Sequence, residues 1–162
     1  MEPVGITDSK KLTRRLRQEL FKKIVAIGDV GLGIATAKEI DSLNILKATM
    51  LAMQRAFNNL KKKPEKALVD GNHSPKLTIQ TECVIKGDAK IRAISAASII
   101  AKVTRDEIMA SLAAVNPGYG WERNAGYGTS EHKAGLVKLG VSSHHRRSYA
   151  PIKQLLKFPI NN

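Results

Sequence analysis

The chain has 162 residues, 43% of them hydrophobic, with 27 Lys and Arg against 14 Asp and Glu and a formal charge of +13. That composition excludes a disordered tail and fits one domain with an ordinary core. The single cysteine, Cys83, excludes an internal disulfide and suits a reducing compartment.

The basic excess favours a polyanionic partner, nucleic acid ahead of an anionic membrane. The apolar runs are too short to span a bilayer. Met1-Glu2-Pro3 does not open a signal peptide, so a cytoplasmic location is expected.

Taken in order, Thr7 to Lys11 is a polar loop leading into a helix from about Thr13 to Ala26. Thr13 is its N-cap, Leu16, Leu20 and Ile24 recur at helical spacing, and Gly28 is placed to end it. Val30, Leu32 and Ile34 alternate with small residues and predict a short strand. Thr36 with Glu39 is a capping box for a short helix, on which Glu39 and Asp41 read as surface charges. A longer helix from Asn44 to about Leu60 carries Leu46, Met50, Met53, Phe57 and Leu60 as a core stripe. Lys61-Lys62-Lys63-Pro64 stops it, the lysines reading as a solvated end that complements the helix dipole.

Lys66 to Asp70 is an apolar run closed by a carboxylate and a Gly71-Asn72 turn. Glu82 to Asp88 repeats the design, with Cys83 packed inside the strand. From Lys90 to about Val115 the pattern is helical and dense in Ala, Ser and Ile. Beyond Asn116 the chain turns to Gly and aromatics, where Tyr119 reads as a turn tyrosine filling surface space. A helix from Ser130 to Leu139 and a basic tail, His144 to Tyr149, follow. No internal repeat or linker divides the chain. It reads as one domain, 1–162, with a helical and basic segment over 116–162.

Two acids that each follow a hydrophobic strand are expected together at the carboxyl edge of a sheet, where α/β folds place their sites. Asp70 and Asp88 would repel one another there without a cation, so a magnesium-type site is expected. His132, His144 and His145 with Cys83 lack the spacing of a zinc site.

Seven blocks fall in the order of a known family: Asp8-Ser9-Lys10-Lys11-Leu12, Val69-Asp70-Gly71-Asn72, Lys86-Gly87-Asp88, Ser95 to Ile99, Ala101 to Asp106, Gly126-Tyr127-Gly128-Thr129 and His145-Arg146-Arg147-Ser148. In them the chain resembles bacterial ribonuclease HII over essentially its whole length. The resemblance implies an α/β fold, the ribonuclease-H-like three-layer α/β/α arrangement with a mixed sheet. It also implies an endonuclease that cuts the RNA strand of RNA–DNA hybrids and single ribonucleotides embedded in duplex DNA. Four carboxylates would hold two divalent ions, Mg²⁺ or Mn²⁺, stabilising the attacking and leaving oxygens. Asp70 and Asp88 map onto the third and fourth of those acids. Tyr127 would detect the 2′-hydroxyl where ribose meets deoxyribose, its flanking glycines allowing close approach to a sugar. Lys10 and Lys11 would contact phosphate. Arg146 and Arg147 would either bind phosphate or pair with acids.

Asp106 lies 18 residues past Asp88 and reads as a helix-surface ion pair with Arg105 or Lys102 rather than a third ligand. The chain departs from the family at two places. Asn124-Ala125 stands where the family has a basic pair. No Asp-Glu pair and no Gly-Arg-Gly turn precede Asp8, so the first two family strands and two of the four carboxylates are expected to be missing. An alternative reading is therefore a non-catalytic fragment that binds hybrid or duplex.

Overall fold

In the computed structural model, which describes residues 12–157, the first regular element is helix α1, Arg14–Ile27. The Thr13 hydroxyl caps it, accepting from the Leu16 N–H at 3.3 Å and satisfying one open amide of the first turn. Leu20 and Ile24 are buried while Leu16 is largely exposed. Gly28 ends the helix by donating to the Ile24 carbonyl at 2.8 Å. It does so with φ −107°, leaving in an extended conformation that draws on none of glycine's left-handed freedom.

The chain divides into two compact units, Met1–Ile34 with Thr49–Thr104 and Ala35–Ala48 with Arg105–Asn162. In the first, Leu12, Leu20, Ile24, Ile99, Ile100 and Val103 form the core, with Phe21, Val30 and Ala96 against it. Helix α2 spans Ala37–Leu43 and α3 spans Ile45–Asn58.

The strand expected around Val30 to Ile34 does not form; the residues from 29 to 36 have no regular structure. Their polar groups are taken by α3 and the residues after it. The Asn59 amide donates to the Leu32 carbonyl and the Arg55 guanidinium to the Ile34 carbonyl, both at 2.7 Å, and the Lys62 N–H donates to Asp29 at 2.8 Å. Gly31 and Gly33 lie flat on α3, where a Cβ would overlap the carbonyl oxygens of Ala56 and Ala52. The small residues of the alternation thus serve close approach to a helix rather than the pleat of a sheet. The lysine run behaves as expected: Lys63 Nζ donates to the carbonyls of Phe57 and Asn58 at 2.8 and 2.9 Å, at the negative end of α3.

Strands β1, Lys66–Asp70, and β2, Gln80–Val84, pair in parallel with Lys66 opposite Gln80 and Asp70 opposite Val84. A Lys66–Glu82 ion pair at 2.5 Å crosses the ladder. Helix α4 then runs unbroken from Arg92 to Val115. In its second half Arg105 Nη1 lies 3.8 Å from Asp106 Oδ1, the ion pair expected for that acid.

In the second unit, Thr36 and Glu39 cap α2 reciprocally. The Glu39 carboxylate accepts from the Thr36 N–H at 2.8 Å, and the Thr36 hydroxyl accepts from the Glu39 N–H at 3.2 Å. A short helix α5, Trp121–Asn124, precedes α6, Ser130–Leu139, which has the expected bounds and Thr129 as N-cap. A last helix, α7, Ala150–Lys157, follows the basic run. Ala113, Tyr119, Trp121, Leu136 and Ile152 form the core. Tyr119 is therefore no surface filler. It is buried, stacked on Trp121 with ring centroids 4.8 Å apart, and its hydroxyl donates to the Gly140 carbonyl at 3.0 Å. Among the described residues, no helix is long and apolar enough to cross a membrane.

Candidate functional site

The acidic edge belongs to the first unit. Asp70 is the last residue of β1, and the turn after it opens with Gly71 at φ 103°, a conformation costly for any residue with a Cβ. The Gly71 N–H still reaches the Val84 carbonyl at 3.0 Å, so the two strands end together. Lys86 then adopts a left-handed conformation, φ 57°, and a short 3₁₀ turn, Gly87–Ala89, carries Asp88. The Gly87 N–H donates to Asp70 Oδ1 at 2.8 Å. The Ser95 hydroxyl, from the first turn of α4, donates to the Asp88 carbonyl oxygen. The first acid thus orders the turn that presents the second, and both lie at the carboxyl edge of the parallel pair. Among the described residues, no group of three or more His, Cys, Asp or Glu is arranged to hold a metal.

Tyr127 lies in the second unit, 58% exposed, with the Arg105 guanidinium carbon 4.9 Å from its ring centroid. Asn124 builds the turn beneath it. Its side-chain amide donates to the Tyr119 carbonyl at 2.8 Å, its Oδ1 accepts from the Gly126 N–H at 2.8 Å, and its carbonyl accepts from the Tyr127 N–H at 2.9 Å. Ala125 and Gly126 both have positive φ, 47° and 78°. What reads in sequence as a missing basic pair is, at Asn124, a buried turn-former. Its signal was available, since an Asn two residues ahead of a Gly hydrogen-bonds its own backbone in an Asx turn.

Of the basic candidates, Lys10 and Lys11 lie outside the described residues. The Arg146 guanidinium sits 4.6 Å over the Tyr149 ring. The Arg147 N–H donates to Asp41 Oδ2 at 2.9 Å, while the Ser148 N–H and hydroxyl donate to Asp41 Oδ1 at 2.9 and 2.6 Å. Asp41 is thus more than a helix-surface charge. Burial alone would raise its carboxyl, but the Ser148 and Arg147 hydrogen bonds and the Arg147 charge outweigh that and hold it below the ordinary carboxylate range.

His132 and His145 belong to the aromatic core, and the exposed His144 lies edge-on to Trp121. The His145 ring lies 4.9 Å from Tyr119 and 5.2 Å from Trp121, centroid to centroid, and 5.4 Å from His132. Its Nδ1 accepts from the Ser142 N–H at 3.1 Å, and its Nε2 is buried with no hydrogen-bond partner among the described residues. Burial first, then the neighbouring His132 and His144, press its pKa from 6.5 down to about 4, so the ring is neutral at pH 7.

A family model described as Ribonuclease HII matches residues 1–152. The Ribonuclease HII of Jannaschia sp. (strain CCS1) is 52% identical over 155 residues, spanning 95% of this chain and 78% of that protein. That of Paramagnetospirillum magneticum (strain ATCC 700264 / AMB-1) is 50% identical over 153 residues, spanning 94% and 76%. Among solved structures, the ribonuclease H2 from Pyrococcus horikoshii OT3 superposes with a TM-score of 0.78 at 28% identity, covering 97% of this chain and 83% of that one. That match agrees with the α/β, ribonuclease-H-like fold expected from the sequence.

Proposed function

Because the chain belongs to the ribonuclease HII family, we propose that it is an endonuclease hydrolysing the RNA strand of RNA–DNA hybrids and cutting at ribonucleotides embedded in duplex DNA. In this reading Asp70 and Asp88 hold the divalent cation, Mg²⁺ or Mn²⁺, and the cut leaves 5′-phosphate ends. The observation that supports it most directly is the bond from Gly87 to Asp70, which ties two acids to one sheet edge.

The donors suit such an ion. A hard cation takes carboxylate oxygens and fills its remaining positions with water and substrate phosphate. Gly87 engages only Oδ1 of Asp70. Asp70 and Asp88 would hold the divalent ion, which would supply Lewis-acid polarisation of the phosphoryl group and activation of water for in-line attack.

The chain's own residues do the rest. The charge of +13 draws the polyanion in. Lys10, Lys11, Arg146 and Arg147 are the proposed phosphate contacts, and they set register rather than sequence. The exposed Tyr127 ring, flanked by Gly126 and Gly128, is the proposed reader of the ribose. The proposed setting is the cytoplasm.

A second reading, binding of hybrid without cleavage, is favoured by one observation: among the described residues no third acid joins Asp70 and Asp88. Incubation with an RNA–DNA hybrid and with the matching all-DNA duplex, with and without Mn²⁺, separates the two. Metal-dependent loss of the RNA strand alone supports the endonuclease. Hybrid-selective binding with both strands intact supports the binding module.

A further inference from the structure

An exposed aromatic ring on a turn discriminates a sugar well only when its rotamer is set before the substrate arrives. Asn124 fixes the backbone under Tyr127, but the ring itself needs a neighbour. Arg105 supplies one. It projects from α4, and its guanidinium carbon lies 4.9 Å from the Tyr127 centroid. The same face of the helix seats the turn: a Cβ added to Gly126 would meet Met109 Cε at 3.0 Å and Arg105 Nη2 at 3.8 Å. The Asp106 carboxylate lies 3.8 Å from Arg105 Nη1. Arg105 therefore lies beside the Gly126 turn and over the ring that follows it, next to a countercharge.

We propose that Arg105 is a positioning residue for substrate discrimination, its guanidinium holding the Tyr127 ring in the orientation that meets the ribose. This role rests on the reading of Tyr127 given above. Chemistry favours arginine here, because the planar, weakly hydrated guanidinium stacks on an aromatic face where a lysine ammonium offers only a point charge. The proposed action of Arg105 passes through Tyr127.

The test is binding in EDTA, so that no strand is cut, to a duplex carrying one ribonucleotide and to the same duplex in all-DNA form. The ratio of the two affinities is the readout. Tyr127→Ala is expected to bring the ratio close to one. Arg105→Ala is expected to lower it by roughly two- to fivefold, the scale of an exposed cation–π contact, with Arg105→Lys in between. Adding Arg105→Ala to Tyr127→Ala is expected to change nothing further, because residues acting as a unit are not additive. The proposal is overturned if Tyr127→Ala lowers the ratio and Arg105→Ala does not. It is also overturned if Arg105→Ala weakens both duplexes equally and still does so beside Tyr127→Ala, the signature of a direct phosphate contact. A ratio unmoved by Tyr127→Ala overturns the reading of Tyr127 itself, and the role of Arg105 with it. Arg105 is an exposed helix residue, 44% at its side chain, so neither of its variants removes core packing.

Discussion

Asp70 and Gly87, seventeen residues apart, are joined by a 2.8 Å hydrogen bond from the glycine N–H to the aspartate Oδ1. The acid at the end of β1 thereby holds the turn in which Asp88 stands. Charge and scaffold can be separated at this position. Asp70→Asn keeps an oxygen acceptor for Gly87 and loses the charge, whereas Asp70→Ala loses both. Thermal melts should place Asp70→Ala about 1–2 kcal/mol below the parent and Asp70→Asn close to it. Both variants should lose the metal-dependent signal in a Mn²⁺ titration. Equal destabilisation by the two would mean that the Gly87 bond holds nothing.

The Asp41 carboxylate ties α2 to the Arg147-Ser148 segment with three hydrogen bonds, two from the backbone N–H groups and one from the Ser148 hydroxyl. Asp41→Ala is expected to lower the melting temperature by a few degrees, since these bonds are solvent-exposed. Its carboxyl is held below the ordinary value, so its stabilisation is complete above the unfolded-state pKa near 3.8 and fades as pH falls through the lower folded value. Melts recorded between pH 5 and pH 3, in both proteins, check this. The gap between parent and variant should close toward the acid end.

His145 acts in a different window and through a base. Its folded pKa of about 4 lies below the ordinary 6.5, so on acidification the unfolded chain takes up the proton first. Stability should therefore fall as pH drops from about 6.5 toward 4. A His145→Gln variant, which does not titrate, should show a flatter dependence of melting temperature over that range. Parallel curves for the two proteins would refute the assignment.

Ala125 holds φ 47° between Asn124 and Gly126, a conformation that costs a residue with a Cβ about 1–2 kcal/mol. Ala125→Gly relieves that strain and gives part of it back through the freer unfolded chain. The expected result is a melting temperature raised by roughly 1–3 °C. A fall would show that the methyl group packs rather than strains.

What could be read from the sequence was mostly local. Thr13 and Thr36 with Glu39 cap the helices their spacing predicts, because a cap needs only residues three apart. Lys63 on the α3 carbonyls belongs to the same class. Asp70 and Asp88 could be placed at one edge because each follows a hydrophobic strand, although the Asp88 run closes with a left-handed Lys86 and a 3₁₀ turn rather than with the strand itself.

The rest depended on partners far along the chain. Small–large alternation from Val30 to Ile34 serves a helix backbone as readily as a sheet, and Gly31 and Gly33 against α3 decide it. Asp41 finds Ser148 across 107 residues. Tyr119 is buried by Trp121 and His145, pairings that no periodicity announces. Helix α7 was hidden by the basic run before it, though Pro151 in its first turn and Ile152 with Leu155 on one side carry its pattern.

The endonuclease reading is tested most directly by cleavage of a DNA duplex carrying one ribonucleotide, by this chain and by its Asp88→Ala variant, with Mn²⁺ or Mg²⁺ and with EDTA. The expected result is a metal-dependent cut at the ribonucleotide that the variant loses by at least roughly a hundredfold, the scale of removing a group that stabilises developing charge. Cleavage that survives both EDTA and Asp88→Ala would contradict it.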